Sequence, residues 1–150
     1  MDKLFIEAKL IIYTDGGARG NPGPAAIGFI VGNKKYGEVI GNTTNNVAEY
    51  KAAIAALKKA KQLLGKTESK KTEVEVKMDS ELVYKQMSGK YKILEPDLQT
   101  LFIELWNLKQ DFQLVEFKHI PREENKEADK MVNQALDGKV LPGEQTGKLL

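Results

Sequence analysis

The feature that most restricts this chain is a short apolar run, Leu10-Ile11-Ile12-Tyr13-Thr14, that leads straight into Asp15. The run reads as the end of a buried strand spanning residues 4–14. It is apolar on both faces near its end, as expected of a central strand in a sheet covered by helices. Four glycines (Gly16, Gly17, Gly20, Gly23) and two prolines (Pro22, Pro24) follow the aspartate within nine residues. The expectation is therefore a strand that ends at Asp15 and a glycine-rich turn from Gly16 to Pro24. A carboxylate at the end of a buried strand is costly to desolvate, so the rest of the chain is read for groups that would use it.

The pattern alternates between strand and helix periods. Residues 25–31 and 36–42 read as two strands joined by the hairpin signal Gly32-Asn33-Lys34-Lys35. Thr43-Thr44-Asn45-Asn46 offers caps for a helix over 47–64. Tyr50, Ala53, Ile54, Leu57, Ala60 and Leu64 form its apolar stripe, and its many alanines let it approach a sheet closely. Residues 72–78 alternate as a fourth strand. Asp79-Ser80 opens a short helix to Met87, and Pro96 opens another to about Asp111, with Trp106 on its apolar face. Residues 113–120 make a fifth strand, and Pro121 opens a last helix that Gly138 closes. This order predicts one α/β domain over 1–138, with a tail at 139–150. Its five-stranded mixed sheet has three antiparallel strands, then two parallel strands reached by helical crossovers.

Composition removes several chemistries. There is no cysteine and one histidine, His119, so thiolate zinc sites, cysteine nucleophiles and multi-histidine metal sites are excluded. No run is long enough to span a bilayer, and no secretory signal is visible, so a cytoplasmic, monomeric protein is expected. The net charge of +2 does not by itself announce nucleic acid. The glycine spacing matches neither the dinucleotide fingerprint nor a phosphate-binding loop.

Four acids stand out. Asp15 and Asp79 each close a strand. If those strands are parallel neighbours, both acids emerge at the sheet edge where such folds bind ligands. Glu49 and Asp129 flank the apolar stripes of their helices and so can face the sheet. Singly, Asp79 is equally well a helix cap, Glu49 a partner of the helix dipole, and Asp129 a solvated acid. Together they would repel one another unless hard divalent cations intervened, and all-oxygen ligation suits Mg²⁺ or Mn²⁺. Two such ions, roughly 3.5–4 Å apart, support phosphodiester cleavage.

The residues that carry a family resemblance are Tyr13-Thr14-Asp15-Gly16-Gly17 with Asn21-Pro22-Gly23-Pro24, Thr44-Asn45-Asn46-Val47-Ala48-Glu49, Met78-Asp79-Ser80, and His119 through Asn125 to Ala128-Asp129. In this order and setting the chain resembles type 1 ribonuclease H over about residues 9–136. The resemblance implies the ribonuclease-H-like fold and an endonuclease that cuts the RNA strand of an RNA–DNA hybrid, leaving 3′-hydroxyl and 5′-phosphate ends. It implies that Asp15, Glu49, Asp79 and Asp129 hold two Mg²⁺ or Mn²⁺ ions. It assigns His119 to proton transfer or product departure, a role that an imidazole's ordinary pKa of about 6.5 suits. It groups Gly16, Gly17, Asn21, Thr44, Asn45, Asn46 and Asn125 as substrate contacts. Two departures are visible. Many relatives insert a basic helix where this chain has only Ser88-Gly89-Lys90-Tyr91-Lys92, so Lys85, Lys90, Tyr91 and Lys92 are its partial replacement, and many carry serine at the position of Gly17.

Overall fold

The computed structural model describes residues 9–138. The expected tail at 139–150, and the first residues of the expected first strand, lie outside them. The chain runs β1 (Leu10–Ala18), β2 (Gly23–Val31), β3 (Lys34–Thr43), α1 (Asn45–Leu64), α2 (Lys66–Ser69), β4 (Glu73–Met78), α3 (Glu81–Met87), α4 (Pro96–Lys109), β5 (Leu114–His119) and α5 (Lys126–Leu136), with a 3-10 turn at Arg122–Glu124 before α5. The five strands lie in the order β3-β2-β1-β4-β5. The β1–β2 and β2–β3 pairs are antiparallel, and β1–β4 and β4–β5 are parallel. This is the mixed sheet expected from the sequence.

The helices form at the expected places because their ends are chemically marked. Thr44 caps α1: its Oγ1 accepts the Val47 N–H at 3.3 Å. Gly65 ends the helix at φ 84°, where its N–H donates to the Lys61 carbonyl at 2.8 Å. Ser80, not Asp79, caps α3 by accepting the Val83 N–H at 3.2 Å, which leaves the Asp79 carboxylate free for other work. No helix among the described residues is long and apolar enough to cross a membrane.

The main core lies between the sheet and α1, α3 and α4. Tyr50, Phe29, Ile12, Leu57, Val76 and Leu105 are fully buried there, each contributing about 1.5–3 kcal/mol of hydrophobic stabilisation. The other face of β1, β2 and β3 is covered by α5, over a small patch of Ala26, Val132 and Ala135.

Three expectations change. β1 does not stop at Asp15: Gly16, Gly17 and Ala18 continue the strand, paired with Ile27, Ala26 and Ala25. The backbone ladder holds them extended, and the turn shrinks to the residues around Gly20 and Pro22. The short α2 was not anticipated, since four residues carry no readable period. Trp106 is not core. It is 45% exposed, stacked on Phe102 with the Lys109 ammonium 4.5 Å from its ring, because the buried side of α4 is taken by Leu98 and Leu105.

Candidate active site

Parallel pairing brings the first two acids together. Thr14 of β1 is in register with Met78 of β4, so the next residues, Asp15 and Asp79, leave neighbouring strands side by side. Glu49 arrives from α1. Gly16 makes this possible: a Cβ there would lie 2.3 Å from the Ala48 carbonyl carbon and oxygen and 2.6 Å from the Glu49 nitrogen. With no side chain at 16, α1 settles on β1 and Glu49 Oε1 accepts the Gly16 N–H at 3.0 Å. Asp15, Glu49 and Asp79 each offer a carboxylate oxygen within 4.8 Å of the others. Asp129, on α5, lines the same cavity as Asp15 and Glu49, and its charge acts on the Asp15 carboxyl.

This proximity shifts the acids. Burial first, then the charges of Asp79 and Asp129, push Asp15 up to about 8. Burial, followed by Asp15 and Asp79, holds Glu49 well above the ordinary carboxylate range, although the Gly16 N–H opposes the shift. Burial also raises Asp79, against the pull of Arg122. The three carboxylates fit a hard divalent cation: they are all-oxygen donors, and ligand oxygens around an octahedral Mg²⁺ stand roughly 3–4 Å apart. Their raised pKa values mark poorly solvated, mutually repelling carboxylates, a penalty that a cation would relieve.

His119 ends β5 in register with Met78. It is exposed and stacked on Tyr84, with ring centroids 5.9 Å apart. It lines one cavity with Glu49, Asp79 and Arg122. Sequence reading missed Arg122, whose Nε lies 3.9 Å from Asp79 Oδ2 and whose side chain is 86% exposed. The only signal for it was a lone arginine amid acids after Pro121. A second cavity, about 420 Å³, runs from Asp15 and Asp129 past Gly17 and Asn45 to Arg19 and Asn133.

Asn21 and Asn45 stitch the β1–β2 loop to the start of α1. The Asn45 N–H donates to Asn21 Oδ1 at 3.0 Å, and the Ala18 N–H donates to Asn45 Oδ1 at 2.8 Å. Both side chains are exposed, and with each Oδ1 committed, the amide NH₂ is what they present outward. Thr44 and Asn46 are half-buried at the same helix start. Gly17 lies on β1, where an added Cβ would stand 3.9 Å from Val132 Cγ1, an ordinary contact. Asn125 differs from expectation. It is 1% exposed, and its Nδ2 donates to the Thr14 carbonyl at 2.8 Å, so it fastens α5 to β1.

A family described as reverse transcriptase-like matches residues 13–135. A bifunctional protein of Mycobacterium tuberculosis is 41% identical over 136 residues, which is 86% of this chain and 36% of that protein. The chain thus spans about a third of the length of its mycobacterial relatives. A ribonuclease HI of Halobacterium salinarum is 38% identical over 131 residues, 83% of this chain and 63% of that one. The structure of LC11-RNase H1 in complex with an RNA/DNA hybrid superposes with a TM-score of 0.82 at 48% identity, covering 87% of this chain and 98% of that one. RNase H1 from H. salinarum does so with a TM-score of 0.80 at 37% identity, covering 87% and 99%. Coverage is near-complete on the structural side, the family model spans residues 13–135, and only residues 88–95 separate α3 from α4. On these grounds the chain belongs to the type 1 ribonuclease H family, in a form with no inserted basic helix.

Proposed function

We propose that the chain is a metal-dependent endonuclease that hydrolyses the RNA strand of RNA–DNA hybrids, leaving 5′-phosphate and 3′-hydroxyl ends. The observation that carries this is the convergence of Asp15, Glu49 and Asp79 within 4.8 Å, with Asp129 against Asp15. Such a site repels a phosphodiester until its own charge is neutralised, so acids of this density make sense only with cations. In this reading the four acids hold two Mg²⁺ or Mn²⁺ ions. When bound, the ions supply the Lewis acidity that favours attack by water on phosphorus and eases departure of the leaving oxygen.

The protein's own groups do the rest. Asp15 is fixed by the β ladder and Glu49 by the Gly16 N–H, so the ligands are preorganised. His119 stands at the rim beside Asp79, placed to carry a proton between solvent and the reacting groups. Arg122, 3.9 Å from Asp79, offers a cation to a phosphate oxygen. Selectivity for RNA rests on its 2′-hydroxyls, which accept as well as donate hydrogen bonds. The outward NH₂ groups of Asn21 and Asn45 suit those oxygens, with Gly16, Gly17 and Asn46 lining the same approach and Thr44 suited to a phosphate of the DNA strand.

The test is hydrolysis of end-labelled RNA–DNA hybrid, double-stranded RNA and double-stranded DNA, each with Mg²⁺ and with Mn²⁺. Cleavage confined to the RNA of the hybrid is expected. No cleavage of hybrid with either ion at any salt, or equal cleavage of double-stranded RNA, would overturn the reading.

A further inference from the structure

Asp15 has a neighbour that its motif does not reveal. Across the sheet, Asp15 of β1 pairs with Gly28 of β2, and Gly28 pairs with Gly37 of β3. Directly opposed residues project to the same face, so the row Gly37–Gly28–Asp15 lies under α5. Here the helix backbone sits where side chains would normally stand. A Cβ on Gly28 would lie 2.4 Å from the Ala128 carbonyl oxygen and 2.8 Å from the Val132 nitrogen. A Cβ on Gly37 would lie 2.8 Å from the Met131 carbonyl oxygen. These are main-chain atoms of a hydrogen-bonded helix and cannot rotate away. The residue after Ala128 is Asp129, which lines the same cavity as Asp15 at the end of this row and acts on it through its charge.

We propose that Gly28 and Gly37 are positioning residues for the active site: lacking side chains, they set the height of α5 above the sheet, and that height sets where the Asp129 carboxylate meets Asp15. The inference rests on the proposed role of Asp129 as a metal ligand. Two tethers hold the ends of the helix, Asn125 to the Thr14 carbonyl at 2.8 Å and Arg19 to Asp137 at 2.7 Å. The glycines define its seat between them. To restore ordinary contact at 3.4 Å, alanine at 28 must move the Ala128 carbonyl by about 1 Å, and alanine at 37 must move the Met131 carbonyl by about 0.6 Å. Both shifts carry Asp129 away from Asp15.

The experiment uses the full chain with Gly28→Ala and Gly37→Ala, each with and without Asp129→Glu, whose extra methylene reaches back across the gap. Mn²⁺ binding is measured calorimetrically without nucleic acid, hybrid cleavage at saturating Mn²⁺, and thermal unfolding in chelator. Gly28→Ala is expected to slow cleavage about 100-fold, the cost of a 1 Å misplacement, and to weaken Mn²⁺ binding. Gly37→Ala should do the same about 10-fold, and it carries the test if Gly28→Ala does not fold. Asp129→Glu should weaken Mn²⁺ binding in the parent chain and recover part of it in the alanine backgrounds, a coupling that mere loss of packing would not produce. Unchanged Mn²⁺ affinity in both alanine variants, or Asp129→Glu equally harmful in every background, overturns the proposal. A parent that binds Mn²⁺ but cuts no hybrid refutes the proposed function alone, and the positioning role is still judged by Mn²⁺ binding.

Discussion

Replacing Asp15 by asparagine should abolish cleavage and, in the absence of metal, make the protein more stable. The reason is the environment of the carboxyl. Asp15 is 8% exposed and faces Asp79 and Asp129, so its pKa is pushed up to about 8, whereas in the unfolded chain it ionises near 3.8. Between those two values the folded state binds more protons than the unfolded state, so stability falls as pH rises. Each pH unit in that window costs about 1.4 kcal/mol, so by pH 7 the native carboxyl costs the fold about 4 kcal/mol. Asparagine has the same shape and no charge. Because Glu49 and Asp79 share the electrostatic load, a gain of about 2–4 kcal/mol is expected at pH 7, or roughly 6–12 °C in Tm for a domain of this size. The assay is thermal and urea unfolding followed by circular dichroism in chelator, from pH 4 to 8, for the parent and Asp15→Asn. The difference should shrink towards zero at pH 4, close to the unfolded pKa of 3.8, where the window has almost closed. Mn²⁺ at about 1,000 times its Kd should reverse the order, because it adds about 4.1 kcal/mol to the parent. A variant no more stable than the parent at pH 7, or a gain that persists unchanged at pH 4, would refute the argument that these acids are held together against their own repulsion.

Other substitutions separate structural from chemical roles. Gly16→Ala should destabilise by about 3 kcal/mol or more in urea unfolding, since its Cβ meets Ala48 main chain at 2.3 Å and neither strand nor helix can yield. Asn125→Ala leaves the Thr14 carbonyl without its donor, so a loss of about 1–3 kcal/mol is expected; a fall in cleavage with no loss of stability would instead restore Asn125 as a substrate contact. His119→Ala should slow hydrolysis about 100-fold while leaving Mn²⁺ binding and Tm unchanged, because His119 is exposed and supplies none of the clustered oxygens; weakened Mn²⁺ binding would show that it acts on the metal site itself.

Much of this protein is local and therefore legible in the chain. The apolar run before Asp15, the Thr44 cap, the alanine-rich stripe of α1 and the stop at Gly65 depend on neighbours within a few residues, and each stands where the sequence puts it. The meeting of Asp15 and Asp79 was legible on one condition, that β1 and β4 be parallel neighbours, and the Thr14–Met78 register meets it. What the chain alone does not reveal depends on groups far apart in sequence. Nothing local says that β1 continues to Ala18, because that extension is made by hydrogen bonds from β2. Nothing local says that Gly16 is empty for the sake of α1, that Asn125 is buried against Thr14, or that Trp106 turns outward once Leu98 and Leu105 fill the core side of α4. The acids show the same division. Their identities and order are written in the sequence, but their charge state is not. Only packing brings Asp15, Glu49 and Asp79 within 4.8 Å in a partly buried site. There, desolvation and mutual repulsion turn ordinary carboxyls into groups that call for a cation.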